Sequence, residues 1–368
     1  MNVTGIIVEY NPFHNGHIRH IKEAKKITNS DVLIAIASGN FTQRGDVSVL
    51  DKFDKTKAAL DNGVDLVIEL PFIYTVQESK VFGQKAVELL NAVGVNNIVF
   101  GSETNNIEEL SKYAELNINV DHLKEIMSKG VSYPKAYGLL ASSLYPNDIL
   151  AVSYLKAISK TNIKPYLIKR TSNFHDTKLK KICSASAIRC AIKDKKDYSI
   201  ATPIKIINPH FNEELYPYLR RLLFTHSKEE LSKIFLVSEG IEGLLIKNAY
   251  KYDTYEDFIN NSVSKRYTKA RIQRVILQMI MNITKKDVNA LPKTNYIRVL
   301  GFNSKGQKYL RNLKQDKYKI ITQFKNIPDA YKDIEWKAAN VYASMLKKPN
   351  EYILKELKGP IIKNAKIL

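Results

Sequence analysis

At 368 residues the chain exceeds one ordinary hydrophobic core, so two or more domains are expected. Its 57 Lys and Arg against 37 Asp and Glu give a formal net charge of +20, concentrated late: residues 1–198 hold 26 basic and 21 acidic side chains, residues 199–368 hold 31 and 16. Such a field favours polyanions, nucleic acid first and an anionic membrane surface second, while two cysteines, Cys183 and Cys190, support neither a disulfide framework nor a metal cage. No apolar run approaches membrane-spanning length, and the chain begins on a core strand rather than a leader, so a cytoplasmic setting without membrane attachment is expected.

Gly5 to Val8 has the length and branching of a buried strand, and Asn11-Pro12 ends it. Gly16 to Ile27 then runs as an amphipathic helix with Ile18, Ile21, Ala24 and Ile27 on one side. His14 and His17 therefore stand at a helix mouth, where unpaired N–H groups and the positive dipole end favour a phosphate, and Gly16 permits close approach to the backbone. Asp31 to Ala37 reads as a second buried strand, followed by a loop presenting Gln43 and Arg44 near the two histidines. Lys52, on the next helix, either contacts a triphosphate or faces solvent.

Asp65 to Leu70 and Ile98 to Phe100 are the third and fourth strands, each spaced for a parallel crossover. Gly101 is a turn glycine or a place where bare backbone meets adenine or ribose. From Ile107 to Leu155 the reading is helical, with a loop at 145–150 entering a helix at Ala151–Lys160; Asn147 caps that helix, touches the nucleotide, or both. Pro165 to Lys169 is a fifth strand ending in the basic pair Lys169-Arg170, and a loop with His175 and Asp176 follows. In Cys183-Ser184-Ala185-Ser186-Ala187-Ile188-Arg189, two hydroxyls precede a helix that carries an arginine early, a second arrangement suited to phosphate.

His14-Asn15-Gly16-His17 and Ser184-x-Ser186-x-Ile188-Arg189 resemble the paired signatures of the HxGH nucleotidylyltransferase superfamily. Together with 38–45, 63–71, 100–103 and 265–274, they resemble the bacterial tRNA(Met) cytidine acetate ligase family over residues 1 to about 305. Two positions depart from that pattern: Lys55 stands where arginine is usual, and Gly243 where asparagine is. The resemblance implies a Rossmann-like α/β catalytic domain with a parallel sheet at 1–198, and a mainly helical, basic, tRNA-binding domain at 199–368.

It implies ATP contacts through Ile7, Val8, Glu9, Tyr10, Asn11, Pro12, Phe13, His14, Asn15, Gly16 and His17, then Gly101, Asn147, Lys169, Arg170, Ser184, Ser186 and Arg189. His14, His17, Ser186 and Arg189 would be catalytic, with Gln43, Arg44 and Lys52 in a substrate or phosphate loop. ATP is then the cosubstrate, with Mg²⁺ on its phosphates and no dedicated metal cage; acetate and elongator tRNA(Met) are the partners, acetylated at N4 of the wobble cytidine through acetyl-adenylate.

In the second half, Glu239–Ala249, Tyr255–Ser262 and Ala270–Met281 read as helices. Arg266, Lys269, Arg271 and Arg274 with Tyr267 interleaved suit RNA phosphates and an unstacked base. Tyr296–Phe302 is a short strand or buried turn, Lys305–Leu313 a helix, and the Lys-containing tail from Asn350 loosely ordered. Two other readings compete. A small-molecule nucleotidylyltransferase leaves the late positive charge unexplained, and an RNA-binding protein with a regulatory nucleotide site leaves the convergent histidines, Ser186 and Arg189 without need.

Overall fold

A computed structural model describes residues 1–115, 128, 144–170, 178–313 and 317–363. The reading of helix between 116 and 143 and the loop residues His175 and Asp176 therefore lie outside the described residues, apart from Ser128.

The first half alternates β1 (Val3–Val8), α1 (Asn15–Thr28), β2 (Val32–Ser38), α2 (Lys52–Asp61), β3 (Leu66–Leu70), α3 (Phe72–Thr75), α4 (Ser79–Ala92), β4 (Asn97–Ser102) and α5 (Ile107–Glu115). Then come α6 (Pro146–Ile158), β5 (Lys164–Lys169) and α7 (Ala185–Lys193). The parallel order is β5-β4-β1-β2-β3, so the chain reverses direction across the sheet between β1 and β4. Ligands of open α/β sheets bind at that switch point, outside the carboxyl ends of the strands.

Alternation along the strands decides which helices cover which face. Ile34, Ile36, Leu66, Ile68, Ile98 and Phe100 pack with Phe82, Ala86 and Leu90 of α4 and with Val152 and Leu155 of α6. Leu33, Ala35, Val67 and Val99 point the other way, onto Ile21 and Ala24 of α1 and Ala58 to Leu60 of α2. Both faces are thus covered, as the near-continuous apolar run of β2 requires. Asn29, left-handed at φ 45°, ends α1.

The second half is helical first: α8 (Tyr216–Thr225), α9 (Lys228–Ser232), α10 (Ile241–Lys251), α11 (Tyr255–Ser262), α12 (Lys269–Ile280) and α13 (Lys285–Asn289). Five of these pack around a core of their own that includes Leu219, Leu245, Phe258, Ile272 and Ile276. The chain then returns to the sheet through β6 (Tyr296–Asn303), α14 (Ser304–Asn312), β7 (Lys319–Ile321), α15 (Asp329–Ser344), α16 (Pro349–Leu357) and β8 (Ile361–Lys363). β6 pairs antiparallel with β3, and β7 and β8 both pair with β6. A division near residue 198 therefore separates the chain by charge and helix content but cuts through the sheet, whose strands β6, β7 and β8 lie beyond it.

Two sequence expectations are corrected here. The stretch from Asn350 is not loose as far as Lys363, because α16 buries Glu356 completely and β8 extends the sheet. Residues 364–368 lie outside the described residues. Lys52 neither faces solvent nor points at a phosphate site. It is 3% exposed, with Nζ 2.8 Å from both Glu69 and Glu356, and Arg298 closes the cluster at 2.9 and 2.7 Å from the same two carboxylates. Among the described residues no helix is long and apolar enough to cross a membrane.

Candidate active site

A cleft opens at the switch point between the ends of β1, β4 and β5 and the N-termini of α1 and α7. His14 caps α1, its Nδ1 accepting the Gly16 N–H at 3.0 Å, and His17 Nδ1 accepts the His14 N–H at 3.2 Å. The rings lie 3.8 Å apart. With both Nδ1 atoms accepting, each neutral ring carries its proton on Nε2 and has that N–H left to donate into the cleft.

Neutrality is enforced by surroundings. Burial, then the positive charges of Arg170 and Arg189, hold His14 down at about 3, and burial and neighbouring His14 hold His17 well below the usual histidine range. His20, one turn on, hydrogen-bonds Val99 O through Nε2 and is held at about 4 by burial.

α7 supplies the opposite wall. Ser184 caps it by accepting the Ala187 N–H at 3.0 Å, and Ser186 Oγ accepts from Arg189 Nη2 at 3.1 Å. Arg189 Nη1 donates to Asn11 O at 2.7 Å, tying the two signatures across 178 residues. Arg170, at the end of β5, runs its side chain across Gly101, and its buried Nε has no hydrogen-bond partner. Tyr10 also has a buried, unpartnered hydroxyl, and its backbone sits at φ 52°, a region uncommon for a bulky residue. Its ring centroid lies 4.7 Å from that of His17 and 4.8 Å from that of Phe13, both in edge-to-face arrangements.

Most anticipated residues line this cleft: Ile7, Val8, Glu9, Tyr10, Asn11, His14, Gly16, His17, Arg44, Gly101, Asn147, Lys169, Arg170, Ser184, Ser186 and Arg189. Others serve it from behind. Phe13 is core, and Asn15 clamps the segments on both sides of α7 by donating to Lys181 O and Ile200 O at 2.8 and 2.9 Å. Pro12 belongs to the turn without lining the cleft. Gln43 turns its amide to Gln77 O and gives its backbone N–H to Glu9 at 2.6 Å. Gly16 is required by His14, since a Cβ there would lie 2.7 Å from the imidazole. Asn147 is not the cap of α6, which is Tyr145; it lies in the first turn and donates to Glu103.

Several cleft residues carried no recognisable signal, among them Arg19, His20, Asp46, Phe82 and Tyr154. Asp148 was also missed. Fully buried, it accepts from Ser102 and Thr104 hydroxyls and from the N–H groups of Glu103 and Thr104, which fixes α6 to the end of β4.

The surface anticipated for RNA is only partly a surface. Arg266 and Lys269 are exposed. Tyr267 is not a platform: it is buried in the helical core, with its hydroxyl donating to Glu239 O and the Arg271 guanidinium 5.1 Å from its ring. Arg271 pairs with Glu239 at 3.0 Å, and Arg274 reaches Gln43 O at 3.4 Å. Gly243 has only the Lys228 side chain nearby, whereas Lys55 is fully enclosed and donates to Glu9 O, Ser38 O, Gly39 O and Ser48 Oγ.

An α/β sheet whose switch-point cleft is faced by two helix N-termini and a histidine pair defines a nucleotidyl transferase, and the family model described as HIGH Nucleotidyl Transferase matches residues 1–356. Proteins called tRNA(Met) cytidine acetate ligase resemble it along nearly its whole length. That of Oceanobacillus iheyensis is 38% identical, covering 98% of this chain and 100% of its own; that of Limosilactobacillus reuteri is 38% identical, covering 99% and 100%. Thermotoga maritima TmcAL in its apo form superposes at TM-score 0.89 with 30% identity, covering 99% of this chain and 100% of its own, and the same protein bound with alpha-thio ATP superposes at 0.86. The chain belongs to the tRNA(Met) cytidine acetate ligase family, and is an ATP-using ligase.

Proposed function

We propose that this enzyme activates acetate with ATP as acetyl-adenylate and transfers the acetyl group to N4 of the wobble cytidine of elongator tRNA(Met). The observation that carries the proposal is the pair of buried, neutral histidines whose Nε2–H groups are left to donate beside Arg189 and Arg170. An N–H donor held in place by the fold can hydrogen-bond to growing phosphate charge without having to reorganise as the charge develops. The relative bound with alpha-thio ATP supports the same guest.

In this reading, adenine lies towards Gly101 and Arg170, and the phosphates lie between His14, His17, Ser186 and Arg189. An acetate oxygen attacks the α-phosphorus in line, and pyrophosphate leaves as its bond to that phosphorus breaks. Protein residues contribute position and charge neutralisation, which dominate phosphoryl-type transfers. The cytidine amine then attacks the acetyl carbon, the acetyl–phosphate oxygen bond breaks with departure of AMP, and the amine nitrogen releases one proton to solvent. Among the described residues no three His, Cys, Asp or Glu side chains are grouped to hold a metal, so Mg²⁺ is expected to enter on the triphosphate.

Incubation with radiolabelled acetate, ATP and total tRNA, followed by nucleoside analysis, tests the proposal. Label in N4-acetylcytidine is expected. Its absence, together with dinucleotide formation from a mononucleotide, would replace the proposal with a cofactor-making transferase.

A further inference from the structure

Helices α8 and α10 present a stacked aromatic pair that the nucleotide cleft does not use. The rings of Phe224 and Tyr250 lie 4.4 Å apart at 26°, and the residues are 38% and 66% exposed. Arg220 steadies the inner end: its guanidinium is 5.4 Å from the Phe224 ring and 5.8 Å from the Tyr216 ring, and it pairs with Asp253 at 3.1 Å. Tyr250 is the open end of this ladder. Arg221, one turn before Phe224 on α8, and Lys247 and Lys251, on either side of Tyr250 in α10, are exposed, with the Lys251 ammonium 5.2 Å from the Tyr252 ring.

Apolar rings kept on the surface mark an interaction site when they form a patch, and the surrounding charge selects the class of partner. A protein partner favours an interface centre depleted of lysine. Aromatic faces edged by cations instead match an unpaired nucleobase with its phosphates, since every base offers a face for stacking and each phosphate a negative charge. The pair lies in the half of the chain that holds 31 basic against 16 acidic residues.

We propose that Phe224 and Tyr250 form a stacking platform for an unpaired base of an RNA, with Arg221, Lys247 and Lys251 receiving its phosphates. This deepens the tRNA reading above and rests on it. The platform takes the role that the sequence suggested for Tyr267, which is buried.

The test is binding of elongator tRNA(Met) to the full chain by fluorescence anisotropy at several salt concentrations, comparing wild type, Phe224→Leu/Tyr250→Leu and Arg221→Ala/Lys247→Ala. Leucine keeps apolar bulk and removes the π-face. The leucine pair should weaken binding about 5- to 100-fold with an unchanged salt slope, whereas the alanine pair should flatten the slope by about one unit per phosphate no longer neutralised. Unfolding curves check the fold, and Tyr250→Leu alone carries the test if the double variant does not fold. Wild-type affinity in the folded leucine variant overturns the platform. So does a change of oligomeric state in that variant, which would make the occupant a second copy of this chain. Failure of the wild type to bind tRNA at all would instead overturn the RNA reading.

Discussion

The fold refuses His14 and His17 a second proton, so each neutral ring keeps a single N–H, on Nε2. For His14 the folded value of about 3 lies below the usual 6.5, so between those pH values the unfolded chain binds a proton that the folded chain does not. Stability contributed by neutral His14 is therefore present above pH 6.5 and is lost as pH falls towards 3. At pH 5 the loss is about 2 kcal/mol, and His14→Asn, which keeps an N-cap acceptor, should flatten the pH dependence of urea unfolding between pH 7.5 and 5 by that amount. A parallel fall in variant and wild type would refute the assignment. His17→Ala should raise the barrier of acetate-dependent pyrophosphate release by about 3 kcal/mol, roughly a hundredfold in rate, with the fold intact; wild-type turnover would remove His17 from the chemistry. Both histidines were legible in the sequence because their spacing and helix-start position are local facts. Arg170 crossing Gly101 and Gly16 accommodating a ring were not, since side-chain direction is decided by packing.

Among the elements, the loop from Thr42 to Val47 links the cleft to the basic half. Arg44 and Asp46 face the cleft, while Asn212 brackets the loop from the other side, accepting the Val47 N–H at 2.6 Å and donating to Gly45 O at 3.1 Å. Gln273 on α12 donates to Asp46 at 2.9 Å. Gly45 makes this approach possible: at φ 82° it is left-handed, and a Cβ would lie 2.6 Å from the backbone of α12. Gly45→Ala should destabilise the protein by roughly 2 kcal/mol or more and lower acetyl-adenylate formation; an unchanged midpoint in urea would show that α12 yields freely. The sequence marked this glycine only as part of a motif. Helix α12 itself was legible within one residue at each end, because its apolar residues recur with helical spacing. That it leans on a loop some 230 residues earlier was not, because nothing local records a long-range neighbour.

Across the whole molecule, both ends of the chain build one sheet, and the buried cluster of Lys52, Glu69, Arg298 and Glu356 is where they lock. Sequence placed Lys52 on a helix correctly but could not reveal its partner 304 residues away. This architecture also decides which basic residues can separate RNA binding from activation. Arg274 supports the cleft loop and is itself buried enough to be pushed down to about 10, and Arg271 is paired with Glu239, so replacing either disturbs packing as well as charge. Arg266 and Lys269 are exposed beside the same helix start and bear on the cleft through no such loop. Arg266→Ala/Lys269→Ala should therefore weaken tRNA binding and reduce its salt slope by about one unit for each phosphate left without its cation, while acetyl-adenylate still forms at the wild-type rate without RNA. Both activities are to be measured on one preparation. Equal loss of the two would mean that this edge of the helical half supports the catalytic fold, and loss of neither would move the RNA path away from the start of α12.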